Sequence, residues 1–176
     1  MKKRMRPMVL WVFWMAACLN AQQGPGPSLS STPSTGDLSA FSRALDLTPL
    51  GELLRDSGPF TVFAPSDAAF DKMGTITGQQ LADSGRMKKL RDILAYHIVA
   101  GELTASRILK ALCRGEGMAT FTTILGEPLL ATMEGTDIIL TDCQGNRARI
   151  VRADTSRESL LYHEIDTVVL PSQTRP

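Results

Sequence analysis

The stretch GPFTVFAPSDAAFDKM, from Gly58 to Met73, requires the chain to change from strand to helix within sixteen residues. Phe60 to Ala64 is β-prone, and Pro65 ends the strand because proline offers no backbone N–H. Ser66 or Asp67 can then accept hydrogen bonds from the free N–H groups of the following helical turn. A fold that holds this stretch must pack helices against a sheet.

Helical patterns lie on both sides of this switch. Asp37 is a candidate N-cap for a helix with apolar residues at spacings of three and four, and Thr48-Pro49 begins a second helix. A further helix spans roughly Arg86 to Tyr96, and Thr104 is the candidate N-cap of another. These patterns predict a helical cluster in the first part of the folded domain.

The last third of the chain changes character and predicts strands. Short apolar segments alternate with turns that each contain a glycine, and glycine supplies the positive φ of tight hairpins. Helices followed by an antiparallel meander predict an α+β fold. The predicted strands are ATFTTI, PLLAT, DIILT, RARIVR and YHEIDTVVL, the last of which ends at Leu170.

Residues 1–17 have the pattern of a secretory signal peptide. Four basic residues precede an apolar run from Met8 to Ala17, which is shorter than the roughly 20 residues of a membrane-spanning helix. The end of this run, Met15-Ala16-Ala17-Cys18, resembles a bacterial lipobox and predicts lipidation of Cys18. Ordinary cleavage near Ala21 is the alternative.

The sequence divides into an anchor region, a tether and one domain. Residues 18–36 are rich in glycine, proline, serine and threonine, so they bury too little apolar surface to fold and predict a flexible tether. We expect one globular domain over residues 37–171 and a short tail over residues 172–176. We also expect export to the periplasm, the cell-envelope surface or the exterior, with contact to the membrane through the lipid anchor only.

Charge argues against a nucleic-acid partner. Residues 1–17 hold four of the 19 basic residues and none of the 18 acidic ones, so the rest of the chain carries a net charge of −3. Nucleic-acid binding depends on concentrated Lys and Arg, and the sequence shows no basic stripe of that kind.

Two cysteines, Cys113 and Cys143, remain once Cys18 is set aside. In an exported protein such a pair can form a disulfide. The alternative is two separate thiols, because Cys113 ends a helical pattern whereas Cys143 lies in a predicted hairpin turn. Both interpretations stay open at the level of the sequence.

The order of these motifs resembles the fasciclin, or FAS1, domain family. FTVFAPSDAAF (60–70) resembles the first signature of that family, and YHEIDTVVLP (162–171) resembles the second. LRDILAYHIVAGEL (90–103) is similar to its central Tyr-His segment. The resemblance covers residues 37–171 and implies a wedge-shaped β-sandwich of about seven strands with an N-terminal helical cluster. It also implies that the first signature strand pairs near the second, and Glu164 departs from the family by replacing a usual hydrophobe.

The chemical motifs of enzymes are missing from the sequence. It contains no G-x-S-x-G elbow, no H-E-x-x-H pair and no glycine-rich phosphate loop. Its two histidines, His97 and His163, fit structural positions, and His163 and Asp166 lie three apart in a predicted strand, where their side chains point to opposite faces. We therefore expect a non-catalytic protein with no cofactor and no metal site.

The resemblance implies a function in cell-surface adhesion or interaction. Its candidate partner-binding residues are Tyr96, His97, Ile98 and Val99, although the same apolar residues also fit a core position. The expected partner is a surface protein, a matrix component or a polysaccharide. The alternative function is that of a carrier holding a small apolar ligand in a cleft between helices and sheet.

Overall fold

A computed structural model describes residues 38–72, 84–157 and 160–172. The predicted signal peptide, the lipobox with Cys18, the tether, Asp37 and the last four residues lie outside the described residues. No helix within those ranges is long and apolar enough to cross a membrane. The described helices are α1 (Ser39–Asp46), α2 (Leu50–Asp56), α3 (Asp67–Lys72), α4 (Ser84–Tyr96) and α5 (Ala105–Arg114). The described strands are β1 (Phe60–Pro65), β2 (Ile98–Ala100), β3 (Met118–Thr122), β4 (Pro128–Glu134), β5 (Asp137–Thr141), β6 (Arg147–Arg157) and β7 (Leu160–Ile165).

The seven strands form one hydrogen-bonded sheet in the order β2-β1-β7-β6-β5-β4-β3. A bridge between Val99 and Thr123 brings the two ends of this order together, so the sheet curls nearly into a barrel. The predicted α+β fold with about seven strands and N-terminal helices is confirmed. The two layers of the expected sandwich therefore belong to one continuous sheet that curls over on itself.

The pairing of β1 with β7 joins the two signature segments. The two strands are parallel, with Val62 opposite Tyr162 and Phe63 opposite His163. The other strand pairs are antiparallel, as the predicted meander requires. The expectation that the first signature strand pairs near the second is therefore confirmed.

Alternating side chains of β1 and β7 supply two apolar clusters, one on each face of the sheet. Val62 and Tyr162 pack beneath α1, α2 and α4, whereas Phe63 and Ile165 point to the opposite face and contact α5 and the meander strands. This alternation follows from the two-residue period of a strand. Both faces of these strands are covered, which explains why every residue of β7 is buried.

The strand-to-helix switch uses its two polar residues in different ways. Ser66 caps its own helix, since its Oγ accepts a hydrogen bond from the backbone N–H of Ala69 at 3.2 Å. The carboxylate of Asp67 instead reaches α1, where it accepts from the N–H of Ala40 at 2.9 Å and from the hydroxyl of Ser39 at 2.7 Å. It thereby supplies the N-terminal cap that α1 lacks locally, because Leu38 at the N-cap has no capping side chain.

The last predicted strand is shorter than the sequence pattern indicated. β7 ends at Ile165, and the chain does not continue as a strand to Leu170. Asp166 turns back toward β6, where its Oδ1 accepts the backbone N–H of Arg149 at 2.8 Å. We call residues 168–172 the C-terminal strap, because side chains from other elements hold them in place.

Candidate functional site

The four candidate partner-binding residues lie inside the domain. Tyr96, His97 and Ile98 have no exposed surface and Val99 is 4% exposed. The apolar stripe of α4 continues directly into β2, whose first two residues are buried. The interpretation of this stretch as an adhesive surface is therefore wrong for the folded domain.

His97 holds the C-terminal strap against the core. Its Nε2 accepts the backbone N–H of Val169 at 3.3 Å, so the proton resides on Nδ1, which donates to the carbonyl of Ile93 at 2.8 Å. Burial lowers the pKa of His97 to about 4, since desolvation penalises the imidazolium. Both ring nitrogens are occupied by backbone groups, which leaves neither for a substrate or a metal.

His163 occupies a similar structural position on the opposite face. Its Nδ1 accepts the backbone N–H of Asp154 at 3.3 Å, and its Nε2 donates to the carbonyl of Leu103 at 2.6 Å. Burial lowers the pKa of His163. Asp166 bonds to Arg149 instead of to this imidazole, so the two residues do not form a dyad.

The hydroxyl of Tyr96 ties the start of β4 to the turn after β5. It donates to the carbonyl of Pro128 at 2.7 Å and accepts the backbone N–H of Cys143 at 3.3 Å, with the Cys143 thiol 3.5 Å away. Burial, together with the contact to Cys143, raises the pKa of Tyr96. The phenol is thus a structural hydrogen-bonding group.

Cys113 and Cys143 are free and exposed in the structure. Cys113 lies near the end of α5, and Cys143 lies beside Tyr96 in the turn between β5 and β6. Of the two interpretations that the sequence left open, the structure has two separate thiols.

Glu164 is a carboxylate inside the sheet, at a position where the resemblance implies a hydrophobe. It is 2% exposed, and its Oε1 has no hydrogen-bond partner among the described residues. Its Oε2 lies 3.5 Å from the guanidinium of Arg152 on the neighbouring strand β6. By alternation, its side chain is on the same face as Tyr162, beneath the helices.

An open groove lies where α4, two turns of the meander and the C-terminal strap converge. Its volume is about 320 Å³, within the range of roughly 300–1,000 Å³ that is typical of ligand sites. The turns are those between β3 and β4 and between β5 and β6. The groove is lined by Lys88, Lys89, Asp92, Ile93, Leu125, Gly126, Glu127, Gln144, Leu170, Pro171 and Ser172.

Hydrogen bonds fix the wall that the strap provides. Leu170 donates its N–H to the carboxylate of Asp142 at 2.7 Å. The side-chain amide of Gln144 donates to the carbonyl of Pro171 at 2.7 Å. Ser172 gives both its N–H and its hydroxyl to the carboxylate of Glu127, at 2.7 and 2.6 Å. The groove is consequently held in shape by the protein's own contacts.

Asp142 organises the turn at one side of this groove. Its carboxylate accepts the backbone N–H groups of Gln144 at 2.9 Å and Asn146 at 2.8 Å. Asp142 is not among the residues that the sequence motifs indicated as functional. The sequence does contain a feature that could have indicated it, namely an Asp at the start of a glycine-containing turn. An Asp in this position often accepts a hydrogen bond from the backbone N–H two residues later.

Comparison with known proteins identifies the family. The fasciclin-domain family model matches residues 36–171, which is most of the chain. The chain belongs to the fasciclin domain family. The resemblance of its motifs to that family is confirmed.

The relatives of this fasciclin domain include bacterial surface proteins. Two Synechocystis proteins, sll1483 and sll1735, are 32% and 34% identical over 128 and 130 residues, which cover 73% and 72% of this chain and 64% and 84% of theirs. The cell surface glycolipoprotein MPT83 of Mycobacterium tuberculosis is 33% identical over 116 residues, covering 66% of this chain and 46% of its own. The chain therefore spans only part of the length of these relatives.

A solved structure supports the fold independently. A FAS1 domain pair from the insect cell adhesion molecule Fasciclin I matches 76% of this chain and 45% of its own, with a TM-score of 0.56 and 24% identity. A sequence identity of 24% supports a shared fold and says nothing about a shared function.

The groove of this fasciclin domain is lined by two basic side chains, Lys88 and Lys89, and by two acidic ones, Asp92 and Glu127. No ion pair involves Lys88 or Lys89 in the part of the chain that the structure describes, and both are exposed. The carboxylate of Glu127 is occupied by Ser172, and that of Asp92 lies 3.5 Å from the guanidinium of Arg91. The formal charges of the groove lining therefore sum to zero, because hydrogen bonds from neutral groups leave the negative charge on the carboxylates.

A second cavity lies between the helices and β7. Its volume is about 190 Å³, which is below the roughly 300 Å³ at which ligand sites begin. The ion pair of Arg55 with Asp46 contributes to its lining. Among the described residues, no group of three or more His, Cys, Asp or Glu side chains could hold a metal ion.

Proposed function

We propose that the protein is an exported, lipid-anchored surface protein whose fasciclin domain works by binding a partner and not by catalysis. The observation that carries this proposal is the order of the chain, in which a lipobox-like sequence ending at Cys18 and a segment rich in Gly, Pro, Ser and Thr precede a fasciclin domain. A relative with one third of its aligned residues identical, MPT83, is named a cell surface glycolipoprotein, which supports a surface location.

The use of the polar core supports a binding role. The polar atoms of His97, His163 and Tyr96 form hydrogen bonds with backbone groups. These bonds hold the strap, the loop before α5 and the start of β4 in place. Side chains whose polar atoms are engaged in this way stabilise the fold and are not available for a reaction. The function then falls to the outer surface of the domain.

The lipid anchor is tested by metabolic labelling with radioactive or alkyne-bearing palmitate. Wild-type protein takes up the label, and Cys18→Ala does not. Cys113→Ala is the matched control, since it removes an exposed thiol elsewhere and keeps full labelling. Equal labelling of the Cys18 variant would refute the anchor.

Adhesion is tested with purified Cys18→Ala protein immobilised on beads and presented to cells, matrix proteins and polysaccharides. Binding must exceed that of an unrelated domain of similar net charge at physiological salt, because generic electrostatic adhesion is screened there. Retention no greater than that of the unrelated domain, across all three classes, contradicts the proposed role.

The carrier alternative would need more room than the helix–sheet junction offers. The 190 Å³ cavity is small for an apolar ligand and includes an ion pair in its lining. Native mass spectrometry of the purified protein checks this directly, and a stoichiometric co-purified apolar compound would favour the carrier function.

A further inference from the structure

The C-terminal strap is held to the domain by side chains and not by a strand ladder. Within the described residues, no hydrogen bond between backbone groups joins residues 168–172 to another element. The backbone of the strap bonds instead to the side chains of His97, Asp142, Gln144 and Glu127. We propose that the strap is an acid-released latch, which leaves its position beside α4 at low pH while the rest of the domain stays folded. This inference goes beyond the proposed binding function and does not depend on it.

The bond between His97 and the strap cannot survive protonation of the imidazole. Nε2 of His97 accepts the N–H of Val169 at 3.3 Å, and Nδ1 donates to the carbonyl of Ile93 at 2.8 Å. A second proton can enter only at Nε2, since Nδ1 already carries one. The imidazolium would then direct an N–H at the N–H of Val169, so that an attractive contact becomes a repulsive one.

The surroundings of His97 keep the imidazole neutral while the strap is closed. Burial lowers its pKa to about 4, although the bond to Ile93 and the negative charge of Asp142 act in the opposite direction. The ring of Phe41 on α1, with its centroid 5.6 Å away, brings no charge, and neither β1 nor the strap contains a charged residue. Release of the strap would open the Nε2 side to water, so the pKa would return toward its ordinary value of about 6.5.

Proton binding therefore favours the released state between about pH 6.5 and 4. Above this range the imidazole is neutral in both states, so pH has no effect on release through His97. Within the range, the released state binds a proton that the closed state does not, and each pH unit shifts the equilibrium toward release by up to about tenfold. Below the range both states are protonated, and no further shift arises.

Two other side chains lose part of their hold on the strap in the same direction. Asp142 accepts the N–H of Leu170 at 2.7 Å, and Glu127 accepts the N–H and the hydroxyl of Ser172 at 2.7 and 2.6 Å. Such hydrogen bonds are stronger to an ionised carboxylate than to a neutral carboxyl group. Gln144, by contrast, carries no charge, and its bond to the strap is independent of pH.

The position of the strap in the fold allows it to leave alone. It follows β7, the last strand, so no strand pairing has to break when it is released. Val168 is 6% exposed, and Val169 has no exposed surface and belongs to the apolar cluster of Phe63 and Tyr96. Burial of these valines keeps the strap closed at neutral pH, and its release would expose their apolar surface.

Native-state hydrogen exchange tests the latch, measured by NMR on full-length Cys18→Ala protein at pH 7.5 and 5.0. The amides of Val169 and Leu170 report on the strap, and the amide of Val62 reports on the sheet. We expect the strap amides to be less protected than Val62 at both pH values, once corrected for intrinsic exchange. For a pKa of about 4 in the closed state and about 6.5 in the released state, acidification should lower strap protection about thirtyfold.

Two glutamine variants separate the source of this dependence. A glutamine at position 97 can accept the N–H of Val169 without titrating, so His97→Gln should reduce the loss of strap protection to less than about threefold. His163→Gln is the matched control. It replaces a second buried histidine, which bonds to Asp154 and Leu103 and not to the strap, and it should keep the full loss.

Three results would overturn the inference. The first is equal protection of Val62 and the strap amides at pH 5.0 in the protein with both histidines, because the strap would then open only when the whole domain unfolds. The second is strap protection that does not change between the two pH values. The third is an undiminished loss in His97→Gln. None of these measurements involves a partner, so a negative adhesion assay leaves the latch unaffected.

Discussion

Phe63 and His163 face each other across the parallel strands β1 and β7, and their rings stack with centroids 5.5 Å apart. One residue belongs to the first signature segment and the other to the second. Their contact therefore joins the two ends of the domain, and both side chains lie in the interior with no exposed surface. Side chains that look chemically notable in the sequence serve here to close the sheet.

Replacing Phe63 by Ala should lower the free energy of unfolding by about 3–5 kcal/mol, because the change removes a buried ring and leaves a cavity. Urea unfolding followed by circular dichroism measures the effect. Leu53→Ala is the control, since Leu53 is 43% exposed, and its cost should stay near 0.5 kcal/mol. A cost for Phe63→Ala no larger than the control's would place Phe63 outside the core.

Stability should fall as the pH is lowered from about 6.5 toward 4. The pKa of His97 is lowered to about 4 in the folded protein, so the unfolded chain binds a proton in this range before the native state does. His97 alone should contribute a loss of about 2–3 kcal/mol between pH 7.5 and 4.5, on the scale of 1.36 kcal/mol per pKa unit. The lowered pKa of His163 acts in the same direction.

Urea titrations across this pH range measure the dependence, and the His97→Gln variant separates its source. The variant should be less stable than wild type at pH 7.5 yet lose less stability on acidification. Parallel pH profiles for the two proteins would show that the imidazole of His97 is not the titrating group.

Asp67→Ala should destabilise the domain by about 1–2 kcal/mol, because it leaves the N-terminus of α1 without its cap. The lost contacts are those to the N–H of Ala40 and the hydroxyl of Ser39. Asp67→Asn keeps one acceptor oxygen and should cost less. If the Ala and Asn variants unfold at the same urea concentration as wild type, α1 does not depend on this cap.

Glu164→Leu should leave stability unchanged or raise it by about 1 kcal/mol. A buried carboxylate loses hydration that one ion pair with a half-exposed Arg152 does not restore, and replacing such a group by a hydrophobe is often favourable. Thermal and urea unfolding compare the variant with Glu164→Gln, which removes the charge but keeps a polar group. A loss above 1 kcal/mol for Leu would mean that Glu164 makes contacts essential to the sheet.

Replacing both Cys113 and Cys143 by Ser should change the free energy of unfolding by less than about 0.5 kcal/mol, because both thiols are exposed and unbonded to each other. In the Cys18→Ala background, two thiols should react with Ellman's reagent without denaturant. A protein that gains reactive thiols only after reduction would contain the disulfide.

Local patterns in the sequence were sufficient for most of the elements. The period-two strands and glycine turns of the last third placed β5 at Asp137–Thr141, where the structure has it. The N-cap at Thr104 was also predicted correctly, since its hydroxyl accepts the N–H of Arg107. Such features depend on residues close in the chain, so the sequence alone determines them.

The missed features depend on residues far apart in the chain. The Asp67 carboxylate caps a helix 27 residues before it in the chain. The strap is held by His97, which follows α4, and by Asp142, which lies in a turn, and no sequence pattern links either residue to the strap. The predicted strand through Leu170 failed for the same reason: His97 and Asp142 capture the backbone of Val169 and Leu170. The groove beside the strap could not be predicted because it exists only where these elements meet.

Native-state amide hydrogen exchange, followed residue by residue by NMR, tests the central claim most directly. The amides of Val62–Ala64, of Tyr96–Val99 and of Tyr162–Glu164 should exchange only through global unfolding, with a free energy of opening equal to that from urea titration. Fast exchange at Tyr96–Val99, or opening of β1 separately from β7, would contradict a domain whose two signature strands pair in one core and whose Tyr-His segment is buried.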